Sequence, residues 1–397
     1  MVAILKKIWK NKSNLHLFFP FGSVSFLGKI LQYQLGILTR KIYNRQYCRQ
    51  LKNLGIPNMP IEGEDKFVQK WKQLDAHVNP VYYRLFSAYC GKDPNIIPED
   101  ICRNVIEVAM NPVYYRGFYS DKNMFDKIFP KGFCPQTLLR KIQGFYYDEN
   151  YTTMRGNEDL YDLCKEYAKI IVKPSVNSNS GNKVLLFSRE SEKKQYLSIG
   201  VGGEYVLTYE FLNSFYADDF IVQECLEQLE YVSQFCKTSV NTLRIHVYRS
   251  VVTDEPVIPC AIMRIGKNGS YLDNAHVGGL FIGVEQDGSL GRYLCDQYGN
   301  KYNSINGINF KKSSYKIPNF QSVINFSKDV ARHIIHHRCL ALDVMIDMNG
   351  IPKLIEFNID AFSMWLFQFT GHTMYGPYTD EVINYCKNRK LKRVFLR

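Results

Sequence analysis

A chain of 397 residues is longer than one compact core usually serves, so two or three packed subdomains are expected. With 46% hydrophobic and 22% charged residues it has the composition of a folded globular protein, which excludes a disordered chain. The net charge of +12 is concentrated at the ends: residues 1–61 hold ten Lys/Arg and no acid, residues 387–397 six more, and residues 62–386 are near neutral.

Basic ends attract anions, whether nucleic acid, acidic lipid head groups or a pyrophosphate-linked substrate. The N-terminus adds Trp9, Leu15, Leu17, Phe18, Phe19, Phe21, Phe26 and Leu27, a mixture suited to a membrane surface. The uncharged run Ser13–Gly28 is interrupted by Pro20 and Gly22, too short and too broken for a membrane-spanning helix. No small-residue cleavage site follows it. Peripheral membrane contact through the basic termini and a packed helical N-terminal subdomain both remain open, and nucleic acid is the weakest reading. The eleven cysteines are odd in number and never spaced C-x-x-C, which points to reduced thiols, a cytoplasmic setting and no zinc site.

Up to about residue 115 the pattern reads as helix. Apolar residues recur at helical spacing around Ile30, Leu31, Leu35 and Leu38, with breaks at Pro57, Pro60, Pro80, Pro94 and Pro98. Asn79-Pro-Val-Tyr-Tyr-Arg84 recurs as Asn111-Pro-Val-Tyr-Tyr-Arg116, and two copies are too few for a solenoid. A shared start of a helix, or chance, accounts for the echo.

After about residue 165 strands are expected at Ile170–Lys173, Lys183–Phe187, Phe220–Glu224, Thr242–Tyr248, Val257–Ile265, Gly279–Val284 and Leu290–Leu294. Residues 320–338 predict an amphipathic helix that buries Phe320, Val323, Ile324, Phe326, Val330 and Ile334. His333, His336 and His337 lie on it without a carboxylate partner, and a metal role there is disfavoured.

The last strong element is a hairpin. Leu340–Ile346 and Ile351–Asn358 flank Asn349-Gly350, the strongest two-residue hairpin signal. With that turn Met348 faces Ile351 and Asp343 falls opposite Glu356. Residues two apart on a strand share a face, so Asp343, Glu356 and Asn358 project together. Leu342, Val344, Ile346, Ile355 and Phe357 form the apolar face. Two opposed carboxylates repel unless a cation lies between them, and their oxygens, with a carboxamide, are the hard ligands Mg²⁺ takes.

At these residues the sequence resembles the ATP-grasp superfamily, and in particular its sugar-transfer-associated members. The resemblance rests on Asp343 with Glu356-Phe-Asn358, on Tyr119-Ser-Asp-Lys122 and on Ser239-Val-Asn-Thr-Leu-Arg244. Met263-Arg-Ile-Gly266, Asp273-Asn274 and Gly278-Gly279 complete it, over roughly residues 80–375. It implies an α/β (α+β) fold of two subdomains clamping ATP, with three regions: a helical, basic region 1–115 for acceptor or membrane docking, an ATP-grasp-type domain 116–386 and a basic tail 387–397.

The resemblance also implies roles. Lys173 and Lys122 would contact the phosphates, and the loop with Ser178, Ser180 and Gly181 would close over them. Gln223 and Glu224 match the adenine hinge, while Glu227 and Glu230 compete with Glu224 for the nucleoside. Arg264 fits the arginine that stabilises charge on a transferred phosphoryl group, and Arg244 beside it would do the same or bind the acceptor carboxylate, with a surface ion pair as the competing reading for each. Asn274 is a further contact. Asp343, Glu356 and Asn358 would hold Mg²⁺. The activity implied is an ATP-dependent carboxylate–amine ligase working through an acyl phosphate, on small-molecule sugar or amino-acid building blocks of surface polysaccharide synthesis. A kinase on the same scaffold, with His246 or Asp273 as base, and a non-catalytic nucleotide- or lipid-binding partner of a glycosyltransferase are the alternatives.

Overall fold

The computed structural model describes residues 26–176, 181–199, 203–270 and 273–393. Most of the aromatic N-terminal segment read as suited to a membrane surface (Trp9 to Phe21), and loop residues Ser178 and Ser180, lie outside them, whereas Phe26 and Leu27 begin the first described helix. Among the described residues no helix is long and apolar enough to cross a membrane.

Two seven-stranded antiparallel sheets organise the chain. The first contains β1 (Thr137–Ile142), β2 (Phe145–Tyr147), β3 (Thr153–Met154), β4 (Lys169–Pro174), β5 (Leu185–Glu190), β6 (Gln195–Ile199) and β7 (Phe220–Glu224). Its order is β3-β2-β1-β7-β4-β5-β6. Ile170, Val172, Phe220 and Val222 point to one face and form its core with the short helices Leu160–Cys164 and Tyr209–Tyr216. Alternation sends Lys173 and Gln223 to the opposite face, because Lys173 pairs with Ile221 and Ile171 with Gln223.

The second sheet contains β8 (Leu243–Arg249), β9 (Pro256–Ile265), β10 (Leu280–Val284), β11 (Leu290–Cys295) and β12 (Lys301–Tyr302). After a small separate hairpin, β13 (Ser304–Ile305) and β14 (Ile308–Asn309), come β15 (Cys339–Ile346) and β16 (Pro352–Asn358). The order is β12-β11-β10-β9-β8-β15-β16. The helix Phe320–His333 covers one face with Phe320, Val323, Ile324 and Val330, as its spacing predicts, and Ile334 is buried just beyond its end.

Helices Phe26–Asn53, Glu64–Lys72 and Val81–Cys90 lie on the other face, with Trp365–Phe369 and Thr379–Arg393. Tyr47, Trp71, Phe86 and Met110 share one core with Tyr248, Ala341, Phe369 and Cys386. The helical region before residue 115 therefore builds no core of its own. The terminal helix also runs through Lys387 and Arg389, so the basic segment begins as helix. All eleven cysteines are free, and seven are buried.

The two copies of the Asn-Pro-Val-Tyr-Tyr-Arg echo both precede helix, but do different work. Asn79 Oδ1 accepts the Val81 N–H at the start of Val81–Cys90. Asn111 is fully buried and clips four backbone groups: Nδ2 donates to the Cys339 and Ile359 carbonyls, and Oδ1 accepts from the Arg338 and Cys339 amides. It thereby fixes the far end of the β15–β16 hairpin.

Candidate active site between the two sheets

The β15–β16 hairpin places Asp343 opposite Glu356 and Ala341 opposite Asn358, so the three expected side chains share one face. The turn differs from expectation. Asp347 pairs with Ile351 around a three-residue loop, Met348-Asn349-Gly350, closed by Gly350 at φ 79°. That shifts the pairing by one at the loop end, where Val344 faces Leu354. A bulge at Ile355 then restores the register at Asp343. Leu354, not Ile355, joins Leu342, Val344, Ile346 and Phe357 in the core.

Arg244 on β8 is directly opposite Asp343 on its other side, so one row crosses three strands as Arg244, Asp343, Glu356. Arg244 Nε and Nη2 each donate to Asp343 at 2.8 Å, and Arg264 Nη2 lies 3.2 Å from the same carboxylate. Burial raises the Asp343 pKa, but Arg244 and Arg264 more than offset it and the carboxyl titrates below its usual range. The charge that sequence alone assigned to a metal is thus met in part by two guanidinium groups. Neither Nη1 is engaged among the described residues.

The Asn-Thr-x-Arg segment positions this row. Asn241 Nδ2 is tied to Gln228, Val232 and Cys236, anchoring the connection from β7 to β8. Thr242 Oγ1 donates to Asp273 and accepts from Arg264 Nε at 2.9 Å and Nη2 at 2.7 Å. Asp273 Oδ1 is 3.5 Å from Arg264. Its pKa is raised by burial, against the opposing effect of Arg264. Gly279 makes the turn possible: a Cβ there would sit 2.6 Å from the Asp273 carbonyl oxygen. Thr242 and Asp273 are therefore the groups that orient Arg264, and neither stood among the expected ligand-binding residues. The signal was present, since both lie inside the quoted motifs. Asn274, which did, caps a 3-10 turn by accepting the His276 N–H at 3.0 Å.

Lysines approach from the first sheet. Lys122 follows Asp121, whose carboxylate accepts the Asn123 N–H, and its own N–H donates to the Ser175 carbonyl at the end of β4. Phe125 stacks on Phe357 at 5.1 Å, holding this turn against β16. Lys122 Nζ then lies 3.7 Å from Glu356. Lys173 is buried, and burial together with the Lys122 charge depresses its pKa to about 8. The two lysine side chains stand close enough to influence one another, with Glu356 and Asp121 as carboxylates nearby, and the pair is suited to an anion that brings further negative charge.

The remaining expected residues sit nearby or apart. Gln223 is buried on the Lys173 face and donates to the Pro135 carbonyl. Glu224 accepts the Gln136 N–H at 2.7 Å. Glu227 and Glu230 are exposed on the connection that runs to β8, where Leu229 N–H meets the Ile346 carbonyl. Gly181 has φ 73° beyond the loop after β4. His336 pairs with Tyr119 Oη at 2.8 Å, whereas His337 is buried on the same turn.

The donor set fits a hard cation. Asp343 and Glu356 come within hydrogen-bonding reach of one another, an arrangement that two ionised carboxylates hold only with positive charge nearby. Asn358 shares their face, so its carboxamide oxygen is the third candidate ligand, while its amide nitrogen is buried without a partner among the described residues. Among the described residues no cluster of three or more His, Cys, Asp or Glu forms a metal site, so a cation here would rely on two carboxylates and one carboxamide.

A model of the sugar-transfer associated ATP-grasp family matches residues 109–381. No curated protein matches the chain in sequence. Among solved structures, the ATP-grasp ligase PsnB, complexed with a phosphomimetic variant of minimal precursor, Mg and ADP, is 12% identical with a TM-score of 0.37, over 70% of this chain and 62% of that one. The D-cycloserine synthetase DcsG is 10% identical at 0.38, over 70% and 73%. The D-alanine-D-alanine ligase from Coxiella burnetii is 11% identical at 0.39, over 70% and 60%. Likenesses this distant leave the family model as the finding that bears on this chain.

Proposed function

The chain belongs to the sugar-transfer associated ATP-grasp family, and from that premise we propose that it binds Mg·ATP between its two sheets and activates a carboxylate for condensation with an amine. The observation that carries this reading is the opposition of Lys122 and Lys173 to Asp343, Glu356 and Asn358: a polyphosphate meets cations on one side and metal ligands on the other. Asp343, Glu356 and Asn358 would hold Mg²⁺, which when bound neutralises phosphate charge.

In this reading Lys122 and Lys173 grip phosphate oxygens, and the loop with Ser178, Ser180 and Gly181 covers them. Gln223 and Glu224, or Glu230, meet the nucleoside. Arg264 is braced by Thr242 and Asp273 so that its unengaged Nη1 can face the transferred phosphoryl group, with Arg244 beside it. The acceptor carboxylate oxygen attacks the γ-phosphorus, the bond to ADP breaks, and an acyl phosphate results. An amine then attacks the acyl carbon, phosphate leaves, and the amine proton passes to solvent.

A carboxylate is already an anionic nucleophile, so the first step needs no base. That favours a ligase over a hydroxyl kinase here. His246 is fully buried beside Phe367 and Tyr375, and burial lowers its pKa to about 3. The Asp273 carboxylate is taken up by Thr242 and Arg264. The family's association with sugar transfer supports substrates from surface polysaccharide synthesis, handled in the cytoplasm where ATP is available. Assays of ADP release with panels of sugar acids and amino acids, followed by mass spectrometry of the product, test this. An amide supports a ligase, a phosphorylated alcohol supports the kinase, and no turnover supports a non-catalytic partner.

A further inference from the structure

A second cleft, of about 580 Å³, opens between the Phe26–Asn53 helix and the second sheet's loops. The helix meets it through Arg45, Gln46, Arg49, Gln50 and Asn53, a stripe at helical spacing. Tyr43 and Leu51 turn the other side of the same helix into the core, and Tyr47, buried in that core, also borders the cleft. His276, Tyr298 and Trp365 form the opposite wall, and among the described residues no acid lines the cleft.

Three features show a built site. Arg45 and Arg49 stand one turn apart, exposed, and neither makes an ion pair or hydrogen bond among the described residues. Gln50 is 7% exposed; its Nε2 donates to the Gln297 carbonyl at 3.3 Å, while its Oε1 is buried with no donor among the described residues. A buried acceptor left open costs about 1–3 kcal/mol unless a ligand supplies the missing hydrogen bond. Tyr298 offers a ring that is 57% exposed, and the Trp365 ring is half-buried across from it.

We propose that this cleft binds the acceptor as a diphosphate-linked sugar. Two unpaired guanidinium forks match two phosphoryl groups. Aromatic faces suit a sugar ring or base, and the Gln50 carbonyl oxygen takes a hydroxyl proton. The volume falls in the usual range for small-molecule sites, on the order of 300–1,000 Å³.

The cleft adjoins the catalytic row. Its His276 lies three residues after Asp273, which contacts Arg264, and its Trp365 packs on Phe281 at 5.7 Å, directly opposite Arg264 on the neighbouring strand. The assignment deepens the ligase reading and rests on it for the identity of the reacting group. The diphosphate can be carried by a nucleoside or by a prenyl lipid, and the chemistry of the cleft is common to both.

Calorimetric titration of the full chain with UDP-glucuronic acid, and separately with a short-chain prenyl-diphosphate glucuronic acid, tests the assignment. Wild type binds at least one, and the tighter arm identifies the carrier. Arg45→Ala/Arg49→Ala weakens that binding at least tenfold and leaves Mg·ATP affinity and the melting temperature unchanged. Gln50→Ala weakens it severalfold. Absence of binding in both arms, or full binding by the double variant, overturns the proposal. Diphosphate-sugar binding without any Mg·ATP binding would leave the cleft standing and remove the ligase reading.

Discussion

Asp343 accepts both prongs of the Arg244 guanidinium at 2.8 Å, on a carboxylate that has no exposure to solvent. A buried carboxylate with two arginines on it carries the structure of the sheet as well as its chemistry. Asp343→Ala leaves Arg244 and Arg264 without their shared counter-ion, a loss of about 3–5 kcal/mol for a broken buried pair. Urea unfolding measures it. A loss below about 1 kcal/mol would show that Arg244 and Arg264 find other partners.

Lys173 sets a pH dependence. Its folded pKa of about 8 lies below the unfolded value of 10.5, so below pH 8 the lysine is charged in both states and the fold bears the cost of burying it. That cost relaxes as pH rises from 8 toward 10.5. Lys173→Met removes it and stabilises the free protein below pH 8 by about 1–3 kcal/mol, while nucleotide affinity falls at least tenfold. At pH 8.5 nucleotide binding to wild type takes up a proton, because phosphate favours the ammonium form. Calorimetry in buffers of different ionisation enthalpy detects the uptake, and its presence in Lys173→Met would refute the assignment.

Asn111 makes a structural prediction far from the chemistry. Asn111→Ala strands two buried amides and removes donors from two carbonyls, at about 1–3 kcal/mol for each group left unsatisfied. The variant melts well below wild type, whereas Asn79→Ala, which loses one helix-start bond, shifts the melt by roughly 1 kcal/mol or less. Equal shifts would contradict the clip.

That Asp343, Glu356 and Asn358 share one face of the hairpin was legible because period-2 alternation is robust within a strand, and Asp343 needed only its partner. It did not carry the loop length. The bulge at Ile355 cancels the extra loop residue before the row is reached, so the register at Asp343 was right although the turn was not. β1 was not among the expected strands, and its two charged residues are buried, Arg140 with Asp126 and Lys141 with Asn213. The helices before residue 115 were legible as helices, but their docking on the second sheet depends on contacts more than a hundred residues away, which no local pattern encodes. The pairing of Arg244 and Arg264 with Asp343 was likewise hidden, since strand order between β9, β8 and β15 is not written in any one segment.

The central claim is that Asp343, Glu356 and Asn358 form a metal-dependent nucleotide site with Lys122 and Lys173. Its most direct test is calorimetric titration of ATP with and without Mg²⁺ into wild type and Glu356→Ala. Glu356 is partly exposed and opposite Lys122, so its removal leaves the core intact. The account predicts that wild type binds ATP at least tenfold more tightly with Mg²⁺, and that Glu356→Ala loses this increment while remaining folded. An equal affinity with and without Mg²⁺ in wild type, or an unchanged increment in Glu356→Ala, would contradict it.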